Sequence, residues 1–229
     1  MKIRIKFRKT GNMKFIGHLD VMRYFQKAIR RADVEICYSG GFSPHQIMSF
    51  AAPLGVGITS NGEYVDIEVH STDSTARMMD RLNAVMAEGF EIAEYRLLPD
   101  TAANAMSSVA AADYTLTFRP GYEPENESEE EWFRKFTAFF DQPQVIVLKK
   151  TKKGEKEMDL KPFIYELSVM PGERDEKTRL FMKVSTGSAA NIKPELLLDA
   201  YYERLGTQRP PFALSLIHIS EPTRQEAIS

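Results

Sequence analysis

The hydrophobic pattern of the first 32 residues changes its period once, and this change constrains the fold more than any other feature. Over Lys2–Arg8, cationic and apolar residues alternate, which is the period of a strand that buries Ile3, Ile5 and Phe7. From about residue 17 to residue 32, apolar residues recur at intervals of three and four, which is the period of an amphipathic helix. The predicted buried stripe of that helix is Leu19, Met22, Phe25, Ala28, Ile29 and Ala32.

The rest of the first half supplies the remaining elements of one small α+β unit. The sequence predicts a short strand at Glu35–Tyr38, a strand at Tyr64–Val69, a helix at Ser74–Glu88 and a strand at Phe90–Leu97. The resulting order, βαββαβ, is typical of a split-βαβ, ferredoxin-like unit. We therefore predict a ferredoxin-like domain over residues 1–99.

A second half of similar design follows a linker. Residues 100–112 are mostly small and polar, as expected of an interdomain linker. Residues 113–213 predict another ferredoxin-like domain with extra strands. Its predicted elements are strand Tyr114–Phe118, helix Ser128–Phe140, strands Gln144–Thr151, Phe163–Met170 and Arg179–Val184, and helix Lys193–Leu205. Ser128 with Glu131 three residues later is the pattern of a capping box at the first helix.

Residues 214–224 interrupt this design. They read Leu-Ser-Leu-Ile-His-Ile-Ser-Glu-Pro-Thr-Arg, which resembles the in-frame translation of a sequencing-library transposon adapter. We therefore expect residues 214–229 not to be native, and His218 takes no part in the functional reasoning. The alternative is a genuine strand at Leu214–Ile219. The predicted fold class is α+β, with two tandem ferredoxin-like units of which the second lacks its native last strand.

Composition excludes several classes of protein. No window approaches 18 uncharged apolar residues, and the N-terminus lacks the apolar segment of a secretory signal. We therefore expect a cytoplasmic protein with no membrane partner. Cys37 is the only cysteine, which excludes a disulfide framework or a multi-thiolate cluster within this chain. The four histidines lack metal-ligand spacing, so we expect no metal site and no cofactor in this chain.

The formal charge of −2 conceals a cationic N-terminus. Residues 1–31 contain ten Lys and Arg residues against one acid, Asp20, so this segment carries +9 and the rest of the chain carries −11. Such asymmetry favours an anionic partner. Solvated charge that only aids solubility is the alternative explanation.

The segment Tyr38–His45 is the main candidate binding loop. It reads Tyr-Ser-Gly-Gly-Phe-Ser-Pro-His, in which two glycines let the backbone approach an anion and two aromatic rings offer stacking surfaces. Cations together with an aromatic, glycine-rich loop are the ingredients of single-stranded RNA recognition. The predicted RNA- or anion-binding residues are Arg4, Lys6, Arg8, Lys14, Arg23, Lys27, Tyr38, Gly40, Gly41, Phe42 and His45.

His18 and His45 are the candidate catalytic residues if the protein is an enzyme. An imidazole titrates near neutral pH and can act as a general acid or base. A structural histidine packed where the strand meets the helix is the alternative for His18. Asp20, in the first turn of the helix, is explained by the helix dipole alone.

The motifs around these residues resemble the radical SAM-linked (radical SAM-associated) protein family, a domain of unknown function. The similarity runs through Lys14–Arg23, Tyr38–His45, Met48–Ala51, Pro53–Gly57 and Gly62–Glu68. Members are typically encoded beside, or fused to, radical SAM proteins, so the resemblance implies such a protein as the partner. Radical SAM chemistry needs three cysteine ligands, and this chain has one cysteine. The resemblance therefore implies that the partner carries the [4Fe–4S] cluster and S-adenosylmethionine.

Three functions are compatible with these observations. The first, which we prefer, is a non-catalytic accessory protein of a radical SAM enzyme that binds RNA or presents the substrate. The second is a metal-independent ribonuclease, with His18 and His45 as general base and acid and Lys14 or Arg23 stabilising the phosphorane. The third is a protein-interaction adaptor without an RNA role. An RNA affinity that falls steeply with salt separates the first two from the third.

Overall fold

The computed structural model describes residues 1–52, 54–151, 154–172, 176–186, 191–211 and 213–222. Within these ranges the chain is mixed α+β, with five α-helices and strands that pair mostly antiparallel. It divides into two compact units. The first comprises the described residues of 1–110 and 217–222, and the second comprises those of 111–216.

The first unit has the predicted element order βαββαβ. Its elements are β1 (Lys2–Lys9), a 3-10 turn (Gly11–Phe15), α1 (His18–Arg31), β2 (Met48–Phe50), β3 (Thr59–Glu68), α2 (Thr75–Asn83), β4 (Phe90–Leu98) and the short helix α3 (Ala105–Ser108). β1 lies between β3 and β4, and β2 pairs with β3, all antiparallel. Residues 100–112, predicted to be a linker, contain α3 and the beginning of the next strand.

The period of two along β1 builds the core of the first unit. Ile3, Ile5 and Phe7 are buried, as predicted, in one cluster with Phe25 and Ile29 of α1. The rings of Phe7 and Phe25 are 4.6 Å apart. Burial of each such side chain is worth about 1.5–3 kcal/mol. This packing fixes α1 on the sheet and leaves its opposite side to solvent.

The buried stripe of α1 differs from the prediction at its first turn. Leu19 is 62% exposed, whereas Val21 is buried. Two residues that are two positions apart on a helix point about 200° away from each other, so they cannot both face the core. The side that carries Phe25 and Ile29 includes Val21, and it therefore excludes Leu19.

The predicted strand at Glu35–Tyr38 is absent from the described residues. Ile36 and Tyr38 form single bridges with Val69 and Gln46, and the strand beside β3 is β2. The backbone of Cys37 donates to Glu68 O and accepts from Ile47 N, so irregular backbone takes the hydrogen bonds of a strand here.

The second unit contains strands and helices in the predicted order plus one further strand. Its elements are β5 (Val109–Phe118), α4 (Glu129–Phe139), β6 (Ile146–Thr151), β7 (Gly154–Asp159), β8 (Ile164–Met170), β9 (Arg179–Ser185) and α5 (Pro194–Arg204). β9 lies between β5 and β8, and β6 pairs with β7 as a separate hairpin. The sequence pattern missed β7, because Gly-Glu-Lys-Glu-Met-Asp has little apolar content.

Aromatic side chains of α4 form the centre of the second core. Trp132, Phe133 and Phe136 are buried, and the Trp132 ring meets Tyr201 of α5 edge-on at 5.1 Å. Ser128 caps α4 by accepting a hydrogen bond from the backbone N of Glu131 at 3.1 Å, as the sequence pattern predicts.

The adapter-like segment forms part of a strand, β10 (Leu214–Pro222). In the first unit, Ile217 pairs with Thr59 and His218 with Ser60, in parallel. In the second unit, β10 begins beside β5, where the last strand was expected. An unpaired sheet edge is a template for a segment of alternating pattern, which accounts for the strand formed by these residues.

Candidate functional site: a cationic helix face and an aromatic loop

Three cations lie on the solvent side of α1. Arg23, Lys27 and Arg30 are exposed, and their spacing of four and three puts them on one side of the helix. We call these three residues the cationic face. Arg23 makes an exposed ion pair with Asp20 at 3.6 Å, whereas Lys27 pairs with no carboxylate in the described part of the chain. The face therefore keeps a net positive charge.

Residues Tyr38–His45, which we call the aromatic loop, are closed at their base by three hydrogen bonds. Ser39 N donates to His45 O at 2.8 Å, and His45 N donates to Ser39 Oγ at 3.1 Å. Ser39 Oγ also lies 2.8 Å from His45 Nδ1. His45 thus holds the loop shut, which is a structural role that needs no ligand.

The loop projects its aromatic side chains into solvent. Phe42 is fully exposed and Tyr38 is half exposed. Gly41 has φ +97°, a conformation that side-chain-bearing residues rarely adopt, and it makes the turn that carries Phe42 outward. A Cβ atom at Gly40 would meet nothing within 4 Å, so the backbone there is open to a ligand.

One hydrogen bond connects the residue after the aromatic loop to the helix that carries the cationic face. Gln46, directly after the loop, is buried and donates from Nε2 to the backbone oxygen of Gln26 at 3.3 Å. Gln26 lies beside Lys27 in α1. The aromatic loop and the cationic face are therefore neighbours, and together they form the candidate interface.

The cations of β1 do not join this interface as free charges. Arg4 is buried and pairs with Asp66 at 2.8 Å, Arg8 pairs with Glu91 at 2.9 Å, and Lys6 pairs with Glu94 at 3.4 Å. The sequence predicted these residues as anion contacts, but each faces a carboxylate of a neighbouring strand. Lys14 Nζ lies 5.0 Å above the ring of exposed Phe15.

The two candidate catalytic histidines are in different places. His18, at the beginning of α1, meets the ring of Phe50 edge-on at 5.4 Å. His45 adjoins Gln46, which contacts α1 at Gln26, eight residues beyond His18 and thus about 12 Å along the helix axis. In the described part of the chain, no contact brings the two imidazoles together.

The surroundings of His18 favour the neutral imidazole. Burial lowers its pKa, the Glu63 carboxylate acts in the opposite direction, and the Lys9 ammonium lowers the pKa further, so the net shift is downward. Burial also lowers the pKa of Lys9, again opposed by Glu63. A neutral imidazole can accept or donate a hydrogen bond at pH 7.

Lys9 and Glu63 are site residues that the sequence interpretation missed. Both are almost completely buried, and together with His18 they line a small cleft. A signal was present in the alternation: residues 3, 5 and 7 point inward, and the next inward position is Lys9. Likewise, Val65 and Ile67 of β3 are buried. Residue 63 lies two positions before Val65 and therefore on the same face of the strand.

The described residues contain neither a metal-binding cluster nor a helix able to span a membrane. The described ranges contain no group of three His, Cys, Asp or Glu side chains that could hold a metal ion. None of the helices in those ranges combines the length and the apolar character that a membrane span requires.

Comparisons with known proteins identify one family. The model of a family described as "Uncharacterized protein conserved in bacteria (DUF2344)" matches residues 2–194. A comparison with curated proteins finds no match.

Two solved structures are similar to this chain at low identity. One is a structure of an H/ACA RNP bound to a substrate RNA containing 2′-deoxyuridine, with 10% identity, a TM-score of 0.45 and coverage of 95% of this chain. The chain spans 46% of the length of that relative. The other is an unknown protein from Galdieria sulphuraria, with 11% identity, a TM-score of 0.26, and coverage of 96% of this chain and 98% of that one. At these TM-scores neither likeness bears on the function.

Proposed function

This chain belongs to DUF2344, a family of uncharacterized proteins conserved in bacteria, and we propose that it is a non-catalytic accessory protein that binds RNA in the cytoplasm on behalf of a radical SAM enzyme. The observation that carries the RNA part is the hydrogen bond from Gln46 to Gln26, which makes the aromatic loop a neighbour of the cationic face. The radical SAM part rests on the motif resemblance over Lys14–Arg23 and Tyr38–His45.

Single-stranded RNA is the anion that this surface suits best. Proteins bind it by combining Lys and Arg contacts to phosphates with aromatic rings on which bases stack. Arg23 and Lys27 supply the charges, and the fully exposed Phe42 supplies the ring. An exposed phenylalanine on a loop that is closed at its base costs little ordering entropy on binding, which favours affinity.

We further propose that the two units are tandem ferredoxin-like domains. The order βαββαβ and the sheet order β4-β1-β3-β2 support this assignment in the first unit. In the second unit, the antiparallel order β5-β9-β8 with helices α4 and α5 supports it. The hairpin of β6 and β7 is then an insertion.

The RNA part is tested with a fluorescently labelled 12-nucleotide single-stranded RNA of mixed sequence and the full chain. We expect anisotropy titrations to give an affinity that falls with salt. Phe42→Ala should lower the affinity about tenfold, since stacking of a base on an aromatic ring is worth about 1–3 kcal/mol. Arg23→Glu with Lys27→Glu should weaken binding and reduce the salt slope by about 1.4, because each single-strand phosphate contact contributes about 0.7.

The matched control is the same charge change on the second unit, Lys193→Glu with Arg204→Glu, where both side chains are exposed. This variant should bind RNA as the unmodified chain does. Equal losses in the two double variants would mean that only total charge matters. Binding that does not depend on salt or on Phe42 would overturn the RNA part of the proposal.

The partner is tested by isolating the tagged protein from its source cells at low salt, with and without ribonuclease. A radical SAM protein that remains after ribonuclease treatment, together with a defined RNA in the untreated sample, is the expected result. A protein partner without enriched RNA would instead support the adaptor function. Shortened RNA in the anisotropy samples would support the ribonuclease.

A further inference from the structure

Two buried charges lie behind the beginning of α1. Lys9 is 1% exposed, and its ammonium donates to the backbone oxygen of Ile16 at 2.9 Å. Glu63 is 3% exposed, and its Oε1 accepts from Ser60 Oγ at 2.7 Å. Buried charges are costly unless their hydrogen-bonding capacity is used, so the partners of these two groups matter.

Both charges have unused hydrogen-bonding capacity. An ammonium has three N–H donors, and among the described residues Ile16 supplies the single acceptor for Lys9. The carboxylate of Glu63 is bonded through Oε1, which also contacts His218 Nδ1 of the adapter-like strand. Both of these contacts use Oε1, so a further donor can bond to Oε2.

The side chains that carry these two charges line one cleft. Lys9, Glu63 and His18 line it, and its walls include the apolar side chains of Phe7, Phe50 and Leu54. The space between them is about that of one water molecule. A nucleobase or a phosphate group is larger than this space, so a ligand can insert no more than one small group.

The charges select the kind of group. A negative group would be repelled by the carboxylate of Glu63, and a positive group would be repelled by the ammonium of Lys9. A hydroxyl group is neutral and of the right size. It accepts a hydrogen bond from an ammonium while it donates its own hydrogen to a carboxylate oxygen. The imidazole of His18, which also lines the cleft, can serve in either role.

The cleft lies on a flank of α1 that leads to the aromatic loop. His18, Met22 and Gln26 follow one another at intervals of four residues, so they lie in a row along the helix. Gln26, at the end of this row, accepts the hydrogen bond from Gln46. An RNA strand bound at the cationic face therefore has to extend about 12 Å along the helix, from the level of Gln26, to reach His18.

We infer that the cleft formed by Lys9, His18 and Glu63 binds one hydroxyl group of the ligand, and that this group is a ribose 2′-hydroxyl of the bound RNA. The inference rests on the proposed function, and it makes the protein selective for RNA over DNA. The 2′-hydroxyl is the group by which a protein distinguishes the two nucleic acids.

The test compares three labelled 12-mers of one sequence: RNA, its 2′-deoxy form and its 2′-O-methyl form. All three carry uracil in place of thymine, so they differ only at the 2′ position. The full chain should bind RNA about tenfold more tightly than the 2′-deoxy form, because deoxyribose leaves the two buried charges unpaired. The 2′-O-methyl form should bind as weakly as the 2′-deoxy form, since it cannot donate a hydrogen bond and is too large for the cleft. Lys9→Met and Glu63→Gln should each abolish the preference for RNA over the 2′-deoxy form.

The outcomes separate this inference from the proposed function. Salt-dependent binding with equal affinity for all three oligonucleotides would overturn the inference and leave the proposed function standing. Absence of binding to any of them would overturn both. A preference that persists in folded Lys9→Met would mean that the hydroxyl is recognised elsewhere. If the variants do not fold, NMR of the unmodified chain decides: the His18 imidazole signals should shift on addition of RNA and not of the 2′-deoxy form.

Discussion

Arg4 and Asp66 form a bidentate ion pair between the neighbouring strands β1 and β3. Arg4 Nε donates to Asp66 Oδ1 at 2.8 Å, and Nη2 donates to Oδ2 at 3.0 Å. The same guanidinium donates to Ala103 O at 2.9 Å, and the same carboxylate accepts from Ala105 N at 2.6 Å. The pair therefore ties the chain before α3 to the sheet.

Arg4→Met should lower the free energy of unfolding by about 3 kcal/mol, because it leaves the largely buried carboxylate of Asp66 without its charged partner. The control is Arg8→Met on the same strand, whose partner Glu91 is exposed, and whose loss should cost about 1 kcal/mol or less. Urea denaturation of the full chain measures both values. Equal losses would mean that Arg4 acts in solution as an exposed charge.

Gly89 is required by its backbone conformation and by a close contact. Its φ is +93°, and a Cβ atom there would lie 2.7 Å from Thr10 O. Gly89→Ala should therefore destabilise the protein by about 3 kcal/mol, which combines backbone strain with a steric clash. Gly41→Ala has a similar φ of +97° but open space, so it isolates the strain and should cost about 1 kcal/mol. Thermal unfolding compares them, and equal shifts would contradict the clash.

Ser128→Ala should destabilise the first turn of α4. The change removes the hydrogen bond that Ser128 Oγ accepts from Glu131 N, at a cost of about 1 kcal/mol. Ser74 is the N-cap of α2 but makes no such bond through its side chain, so Ser74→Ala should have a much smaller effect. Hydrogen exchange at the first-turn amides measures both. Unchanged protection at Glu131 would argue against the cap.

The pKa of His18 should respond in opposite directions to its two charged neighbours. It lies below the ordinary value of 6.5 because of burial, with Glu63 raising it and Lys9 lowering it. Lys9→Met should therefore raise the His18 pKa, and Glu63→Gln should lower it further. NMR titration of the imidazole measures the shifts, and shifts of the same sign in both variants would contradict the arrangement.

The same lowered pKa predicts how stability depends on pH. Between the folded-state pKa of His18 and 6.5, the unfolded chain binds more protons than the folded chain, so stability falls as the pH drops below about 6.5. His18→Gln should flatten this dependence. Urea denaturation across that pH range provides the measurement. If the stability of the unmodified chain rises on acidification, the pKa of His18 is not lowered on folding.

Residues 214–229 should be absent from the protein isolated from its source cells, because residues 214–224 resemble an adapter sequence, which belongs to the sequencing library and not to a gene. Mass spectrometry of a tryptic digest looks for the peptide that ends at Arg224. Peptides from residues 1–204 serve as the positive control. Detection of the Arg224 peptide would establish β10 as native sequence.

The sequence by itself determined the features that depend on near neighbours. The alternation in β1, the helical period of α1 and the cap at Ser128 are all confirmed, because strand pleat, helix period and capping act over a few residues. The irregular backbone of the aromatic loop also followed from local composition, since adjacent glycines at Gly40 and Gly41 do not favour regular structure.

Tertiary structure decided which of these side chains are free to act. The pairing of Arg4 with Asp66 joins residues 62 positions apart, and it turned a predicted anion contact into a buried tie. Likewise, the alternation puts Lys9 and Glu63 on the inner face of their strands, but only the antiparallel pairing of β1 with β3 brings the two charges to one cleft. Local patterns specify which way a residue points, but its partner comes from a distant strand. Only the folded chain therefore showed which cations stay exposed on α1 and which charged residues line the cleft at His18.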